Sequence, residues 1–201
     1  MLQLAVLGSG RGSNFQAILR AIEEGRLPST RVCLVISNNS DAGILALARS
    51  AGIPALHVSQ KQFPTEEAFT DAMLLALQRH GAELIVLAGY MKRVPSRFVR
   101  EYRGRILNIH PALLPKFGGQ GMYGRHVHEA VIAARERESG ATVHVVDDEY
   151  DHGQVVLLRT IEVAPDETPE TLAAKVLEVE HALYPEAIRQ YAGRMFQHHQ
   201  K

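Results

Sequence analysis

The sequence has few features from which a disulfide framework, a membrane anchor or a nucleic-acid surface could be built. Cys33 is the only cysteine, which excludes a disulfide framework and a cysteine-based zinc cluster. Lys plus Arg and Asp plus Glu number 22 each, so the net charge does not indicate a nucleic-acid or membrane surface. No apolar run is long enough to span a bilayer, and the N-terminus lacks the basic region and cleavage site of a signal peptide. We therefore expect a cytoplasmic protein that binds neither nucleic acid nor membranes.

Strand-like and helix-like segments alternate along the 201 residues, separated by short turns rich in Gly, Asn and Pro. Strands are predicted at 2–7, 31–36, 55–58, 83–88, 106–110, 142–146 and 154–163. Helices are predicted at 14–24, 42–50, 65–80, 96–102, 127–138 and 168–191, the last with Pro185 as a point of interruption. This order predicts an α/β fold, a single domain over residues 1–201 with a mostly parallel sheet flanked by helices.

Two polar side chains stand in an otherwise apolar strand at 106–110, which reads Ile-Leu-Asn-Ile-His. Asn108 and His110 are two residues apart, so they project from the same face of a strand. Pro111 and Pro115 then end the strand and force an irregular loop. An amide can donate to a developing oxyanion and an imidazole can move a proton near neutral pH, so the pair could act on an acyl group. Taken alone, this pentad is more typical of satisfied polar residues that close a strand.

A glycine-rich loop at 8–14, Gly-Ser-Gly-Arg-Gly-Ser-Asn, joins the first predicted strand to the first predicted helix. Its glycines let backbone amides approach a ligand, and the helix N-terminus that follows attracts anions. Ser13 and Asn14 add side-chain donors or a helix cap. A dinucleotide site is disfavoured, because Ser13 replaces the third glycine of Gly-x-Gly-x-x-Gly and no acidic residue ends the second strand. The loop predicts a site for a phosphomonoester, with a turn that binds no ligand as the alternative.

Three other segments carry weaker signals. The acidic turn at 147–153 could bring a carboxylate to His110, which would raise the pKa of this histidine and help it act as an acid. His126 and His128 lack the second histidine of a zinc-binding helix, so no metal is expected. The loop at 117–124 has four glycines and could be a mobile gate over the site. Solvated acids and a surface connection are the simpler interpretations of the two loops. His198 and His199 lie in a polar tail with no predicted role.

Together these segments resemble the folate-dependent glycinamide ribonucleotide (phosphoribosylglycinamide) formyltransferase family of purine biosynthesis. The resemblance runs from the first strand through the last helix, nearly the whole chain. Its marks are Gly-Arg-Gly-Ser-Asn at 10–14, Leu-Ala-Gly-Tyr-Met at 87–91, Asn-Ile-His-Pro at 108–111, Leu-Leu-Pro at 113–115, Asp-Glu-Tyr-Asp at 148–151 with Gly153, and Glu-His at 180–181. It implies a Rossmann-like formyltransferase fold, with ribonucleotide binding in about residues 1–105 and catalysis and folate binding in about 106–195.

The resemblance also implies a role for each group of residues. The phosphate and ribose of glycinamide ribonucleotide would be bound by Gly12, Ser13, Asn14 and Glu180. The formyl donor, 10-formyltetrahydrofolate, would be bound by Met91, Lys92, Arg93, Val94, Asn108, Val146, Asp147 and Asp148. The amine of the ribonucleotide would attack the formyl carbon, and Asn108 and His110 would stabilise the tetrahedral intermediate. Asp151 would tune His110 and assist proton transfer.

Two positions depart from the family pattern, and other functions remain open. Glu66 stands where some members carry a basic residue, and the loop at 118–124 is longer than in many relatives. A formyltetrahydrofolate hydrolase would carry an added N-terminal domain and a methionyl-tRNA formyltransferase an added C-terminal barrel, neither of which is expected in 201 residues. A non-catalytic nucleotide-binding module of the same fold would bind ligand without transferring a formyl group. The sequence gives no indication of the oligomeric state.

Overall fold

The computed structural model describes residues 1–198, and side chains up to Met195, so His199 lies outside the described residues. The strands are β1 Leu2–Leu7, β2 Thr30–Ser37, β3 Ala55–His57, β4 Leu84–Leu87, β5 Ile106–His110, β6 Glu138–Val145 and β7 Val155–Glu162. The helices are α1 Ser13–Glu23, α2 Gly43–Ser50, α3 Glu66–Arg79, α4 Ser96–Glu101, α5 Arg125–Ala133 and α6 Pro169–His198, with one 3-10 turn at Gln60–Gln62. The sheet has the order β3-β2-β1-β4-β5-β6-β7, which confirms the predicted mostly parallel α/β fold.

The chain forms two compact units, and the first, Met1–Leu107, is built around β1. This strand pairs in parallel with β2 on one side and with β4 on the other, so the direction in which the sheet grows reverses at β1. Ligands bind open α/β sheets at the carboxyl ends of the strands where the order reverses. The loops that follow β1 and β4 therefore occupy the expected position for a ligand site.

Helix α3 shows why an acidic residue stands at position 66. Thr65 is the N-cap of this helix, and its hydroxyl accepts a hydrogen bond from the backbone N–H of Ala68 at 3.1 Å. Glu66 and Glu67 then occupy the first turn, where negative charge interacts favourably with the helix dipole. Glu66 therefore has a structural role at the start of α3.

The second unit begins at Asn108 and packs α6 against the antiparallel pair β6–β7, with α5 packed against α6. Helix α6 buries Leu183, Tyr184 and Ile188 completely. Ion pairs join its polar side to its neighbours: Arg125 of α5 to Glu170 at 2.7 Å, and Arg159 of β7 to Glu186 at 3.0 Å. Along the described part of the chain, no helix combines the length and apolarity that crossing a membrane requires.

The sequence prediction was wrong in the region between α5 and β6. The helix ends at Ala133, five residues before the predicted end, and β6 begins at Glu138, four residues before the predicted start. Arg135 adopts the left-handed conformation with φ of 53°, which stops the helix. A non-glycine residue gives no sequence signal for this stop. The early part of β6 was missed because its residues, Ser139 and Gly140 among them, have low strand propensity.

Helix α6 runs through Pro185 without a break, so the interruption considered at this residue does not occur. Proline removes one backbone hydrogen bond in a helix interior and strains the preceding turn. Pro185 is buried beside Leu183 and Tyr184, and the apolar contacts of this face offset that cost.

Candidate active site

Strand β5 positions the two polar residues that the sequence singles out. Leu107 and Ile109 are buried on one face of the strand, and Asn108 and His110 share the other face. His110 is only 3% exposed, whereas Asn108 is half-buried and can reach a ligand. The strand end therefore presents an amide beside a buried imidazole.

The structure brings Asp151 to His110. The carboxylate oxygen Oδ2 lies 3.6 Å from Nδ1 of His110, and both side chains are nearly buried. Asp151 has a φ of 54°, an unusual backbone conformation for a residue without a special local requirement. The same Oδ2 atom accepts a hydrogen bond from the backbone N–H of Gly119 at 3.0 Å. The acidic turn therefore contributes one ordered carboxylate to the group.

Asp151 raises the pKa of His110 as expected from a nearby carboxylate, but the net pKa of His110 is lowered. Burial lowers the pKa of His110 and is the largest effect, because a charged ring is poorly solvated inside the protein. The charge of Asp151 and the contact with Phe117 raise the pKa, but they do not outweigh burial, and His144 lowers it further. His110 is therefore neutral at neutral pH, and its resting form suits a base better than an acid.

The neutral ring of His110 carries its hydrogen on Nε2. This nitrogen lies 2.7 Å from the carbonyl oxygen of Phe117, which can only accept a hydrogen bond. The lone pair is then on Nδ1, which faces Asp151. A proton taken up at Nδ1 would lie beside a carboxylate that stabilises the resulting cation.

Asp151 is held in its ionised form by its neighbours. Burial by itself raises the pKa of this carboxyl, but its neighbours together lower it, among them the charge of His110 and the N–H of Gly119. The tight packing of the loop depends on Gly118, since a Cβ there would lie 2.6 Å from Cδ2 of Leu114 and 3.1 Å from Cβ of Asp151. The charged carboxylate and the glycine loop thus form one packed group with His110.

His144, which no sequence pattern singled out, completes the group. It lies on β6, is 2% exposed, and its Nε2 is 3.1 Å from Nδ2 of Asn108 and 3.4 Å from Oδ1 of Asp151. Two residues earlier, the hydroxyl of Thr142 donates to the carbonyl of Ala112 at 2.7 Å and accepts from the N–H of Leu114 at 3.1 Å. Polar residues at alternate positions of a buried strand were the available signal.

The glycine-rich loop after β1 has the geometry of an anion site. Gly12 is the N-cap of α1 with φ of 87°, and a Cβ there would lie 2.9 Å from the backbone of Ile44. A glycine cap has no side chain to accept from the first turn, so the amide groups of that turn can donate to an anion. Ser13 is partly exposed and Asn14 is buried. This loop therefore keeps its predicted role as a candidate phosphate site.

Hydrogen bonds join the loop after β1 to the loop after β4. The N–H of Ser9 donates to the carbonyl of Gly89 at 3.0 Å, and the hydroxyl of Ser9 accepts from the N–H of Met91 at 2.8 Å. The same hydroxyl donates to Oδ1 of Asn38, at the end of β2. Three strand ends of the first unit are thus tied together around the candidate phosphate site.

The remaining predicted ligand contacts lie on both units and stay predictions. Met91, Lys92 and Arg93 are exposed and Val94 is buried in the first unit. Val146 and Asp147 are half-buried, Asp148 is exposed, and Glu180 is buried in α6 of the second unit. Among the described residues, no group of three His, Cys, Asp or Glu side chains could hold a metal ion.

Comparison with known proteins defines the class to which the chain belongs. A model of the formyl transferase family matches residues 2–188. The chain therefore belongs to the formyl transferase family, which fits a site that combines an amide donor, a neutral imidazole and a carboxylate.

Two relatives of the chain and one solved structure have names that state a formyl transfer activity. The chain is 42% identical over 187 residues to the chloroplastic phosphoribosylglycinamide formyltransferase of Arabidopsis thaliana, covering 92% of the chain but 64% of that protein. It is 40% identical over 196 residues to the phosphoribosylglycinamide formyltransferase of Haemophilus influenzae, covering 97% of the chain and 90% of that protein. The crystal structure of glycinamide ribonucleotide transformylase 1 from Symbiobacterium toebii superposes with a TM-score of 0.89 at 40% identity, covering 96% of the chain and 89% of that structure.

Proposed function

We propose that this chain is a phosphoribosylglycinamide formyltransferase, which moves the formyl group of 10-formyltetrahydrofolate to the amine of glycinamide ribonucleotide in purine biosynthesis. The observation that carries the proposal is a group of contacts at the end of β5. Asp151 contacts His110, and His144 contacts both Asn108 and Asp151. Formyl transfer needs an oxyanion donor and a base close together, and this group supplies both.

The reaction uses the resting charges of these side chains. The amine nitrogen attacks the formyl carbon and forms a C–N bond, and the formyl oxygen becomes an oxyanion that accepts a hydrogen bond from Nδ2 of Asn108. Neutral His110 accepts the proton that the attacking nitrogen loses, and ionised Asp151 stabilises the imidazolium. The bond to N10 of the folate then breaks, and that nitrogen receives the proton. Tetrahydrofolate and the formylated ribonucleotide leave.

The ribonucleotide phosphate would bind at the loop after β1. Its amide groups and the N-terminus of α1 favour a dianion without a basic side chain. We assign Gly12, Ser13 and Asn14 to the phosphate, and Glu180 to the ribose. We assign Met91–Val94 and Val146–Asp148 to the folate, with Asn108 at its formyl group.

The first test is the absorbance of the folate product when the protein is mixed with 10-formyltetrahydrofolate, with and without glycinamide ribonucleotide. Turnover that requires the ribonucleotide is the expected result. Turnover without it would identify a hydrolase, and folate binding without any turnover would identify a non-catalytic module. Either of these outcomes contradicts the proposal.

A pair of histidine variants tests the assignment of the site. His110→Ala should lose activity by about a thousandfold, because it removes the base and one neighbour of the intermediate. His152→Ala is the matched control, since His152 lies one residue after Asp151 but is 72% exposed. Equal activity of the two variants would show that His110 on β5 is not part of the active site.

A further inference from the structure

The side chain of His144 has two hydrogen-bonding nitrogens, and the structure gives each of them a different partner. Nδ1 lies 3.0 Å from the backbone carbonyl oxygen of Val145, and Nε2 lies 3.1 Å from Nδ2 of Asn108. The ring is buried in β6, so its orientation is fixed by packing as well as by these contacts.

The carbonyl of Val145 determines which nitrogen carries the hydrogen. A carbonyl oxygen can only accept, so Nδ1 of His144 must donate, and the neutral ring then has its lone pair on Nε2. This lone pair accepts one of the two hydrogens on Nδ2 of Asn108. The chain of contacts runs from the backbone through His144 to the amide of Asn108.

This chain of contacts matters because the amide group of an asparagine can flip, which exchanges its oxygen and its nitrogen. The oxygen and nitrogen of the amide occupy nearly equivalent positions, and the surrounding hydrogen bonds decide which atom takes which position. An acceptor at Nε2 of His144 requires the nitrogen of Asn108 on that side. One hydrogen of Nδ2 is then held by His144, and the second can donate to an oxyanion.

We propose that His144 is a positioning residue that fixes the amide of Asn108 with its N–H group available to the developing oxyanion. The inference rests on the proposed function, since it concerns the oxyanion of the formyl transfer step. Asp151 is the competing partner, because its Oδ1 lies 3.4 Å from the same Nε2. That contact would require a hydrogen on Nε2, so it excludes the hydrogen bond from Asn108. In the orientation proposed here, the donor to Asp151 is the backbone N–H of Gly119.

The hydrogen bond itself can be measured without any activity. In 15N-labelled protein, we expect a two-bond 15N–15N coupling between Nδ2 of Asn108 and Nε2 of His144, and nitrogen shifts that show a protonated Nδ1 and an unprotonated Nε2. Asn108→Ala should abolish the coupling and so assign it. A hydrogen on Nε2, with no coupling to Asn108, would overturn the proposal in favour of Asp151 as the partner.

Kinetics of His144 variants test the consequence for catalysis. Gln can place an acceptor oxygen near the position of Nε2, whereas Leu cannot. We expect His144→Leu to lower kcat by about tenfold or more with little change in KM for either substrate, because the defect is in the transition state. His144→Gln should restore kcat to within about threefold of the original protein, since it keeps the acceptor. Equal kcat values for the two variants would overturn the proposal.

Double variants separate the route through Asn108 from the route through Asp151. If His144 acts by orienting Asn108, His144→Leu should change kcat by less than about twofold in the Asn108→Ala background. The full effect should persist in the Asp151→Asn background. The reverse pattern would overturn the proposal. Failure of the unaltered protein to transfer a formyl group would refute the proposed function alone, because the NMR experiment still decides whether His144 holds Asn108.

Discussion

Nε2 of His110 donates to the carbonyl oxygen of Phe117 at 2.7 Å, so the proposed base is bound to the loop that follows its own strand. The next part of the same loop contacts Asp151, through the N–H of Gly119 at 3.0 Å. Residues 117–119 therefore touch both the imidazole and the carboxylate. Phe117 has φ of 55°, which only a well-packed loop would hold.

The packing of this loop gives the first prediction, a loss of activity in Gly118→Ala. The added Cβ would lie 2.6 Å from Cδ2 of Leu114 and 3.1 Å from Cβ of Asp151, so the Leu114 side chain must move and Asp151 must shift slightly. We expect kcat for ribonucleotide-dependent formyl transfer to fall by about ten- to a hundredfold, because small misplacements of reacting groups are costly.

Gly193→Ala is the control for this change. A Cβ at position 193 meets no atom within 4 Å, and alanine is favoured over glycine in a helix. This variant should keep the original kcat and melt at the same temperature or higher. A Gly118→Ala variant that folds and keeps the original kcat would show that the loop packing does not matter for the reaction.

The charge of Asp151 gives a second prediction, a shift in the titration of His110. Burial lowers the pKa of His110, and Asp151 is the largest influence that raises it. Asp151→Asn removes this influence and leaves burial opposed only by the weaker contact with Phe117, so the pKa of His110 should fall further. The measurement is the pH dependence of the His110 ring proton on Cε1 by NMR.

Asp147→Asn serves as the matched control for that titration. Asp147 belongs to the same acidic turn, but its Oδ1 accepts from the N–H of Glu149. Removal of the Asp147 charge should leave the pKa of His110 unchanged. A titration that moves to higher pH in Asp151→Asn, or does not move at all, would contradict the assigned role of the carboxylate.

The core of the site was predictable from the sequence because it depends on local spacing. The strand at 106–110 has the predicted bounds, since an apolar run ends at a proline, and the period of two puts Asn108 and His110 on one face. The acidic turn at 147–153 was also recognised in advance, and the family resemblance singled out Asp151 within it. Its contact with His110, however, depends on a left-handed φ at a non-glycine residue, for which the sequence has no signal.

The parts that could not be predicted depend on tertiary packing. His144 lies on a strand whose first half was not recognised, and its partner Asn108 is 36 residues away. The sign of the pKa shift of His110 depends on how deeply the ring is buried relative to how close the carboxylate lies. Spacing along the chain contains neither quantity.

A third prediction concerns His128, whose burial should make the protein less stable in acid. Burial is the largest cause of the lowered pKa of His128, and the charge of His110 adds to it. In the unfolded chain, the imidazole of His128 binds a proton below its usual pKa of about 6.5, whereas in the folded protein it binds one only at lower pH. The contribution of His128 to the free energy of unfolding is therefore constant above a pH of about 6.5 and falls as the pH decreases towards the folded pKa. His128→Leu should therefore lose less stability between pH 7.5 and pH 5.5 than the original protein, by up to about 1 kcal/mol.

Urea unfolding at the two pH values measures this effect. No group among the described residues forms a hydrogen bond with the buried Nδ1 of His128, so leucine also removes an unsatisfied polar atom. The control is His126→Leu at an exposed position of the same helix, which removes a histidine without removing a buried ring. A gain in acid stability as large as that of His128→Leu would show that burial is not the cause. A His128→Leu variant with an unchanged difference would show that this histidine does not contribute to the acid sensitivity.

The last prediction concerns the candidate phosphate site and uses two glycines of one loop. Gly12→Ala forces a side chain into a φ of 87° and against Ile44, so it should displace the first turn of α1. We expect the KM for glycinamide ribonucleotide to rise by about tenfold or more while the KM for the folate stays within about twofold, because only the phosphate loses its backbone donors.

Gly10→Ala isolates the effect of geometry from the effect of an added methyl group. Gly10 lies in the same loop, but a Cβ there meets no atom within 4 Å and its φ is not in the left-handed region. Its KM for the ribonucleotide should stay within about threefold of the original value, because the amide donors of the first turn remain in place. If both variants raise this KM equally, an added methyl group anywhere in the loop weakens ribonucleotide binding, and the conformation of Gly12 has no special role. If neither raises it, the phosphate is bound elsewhere, and the assignment of Gly12, Ser13 and Asn14 is wrong.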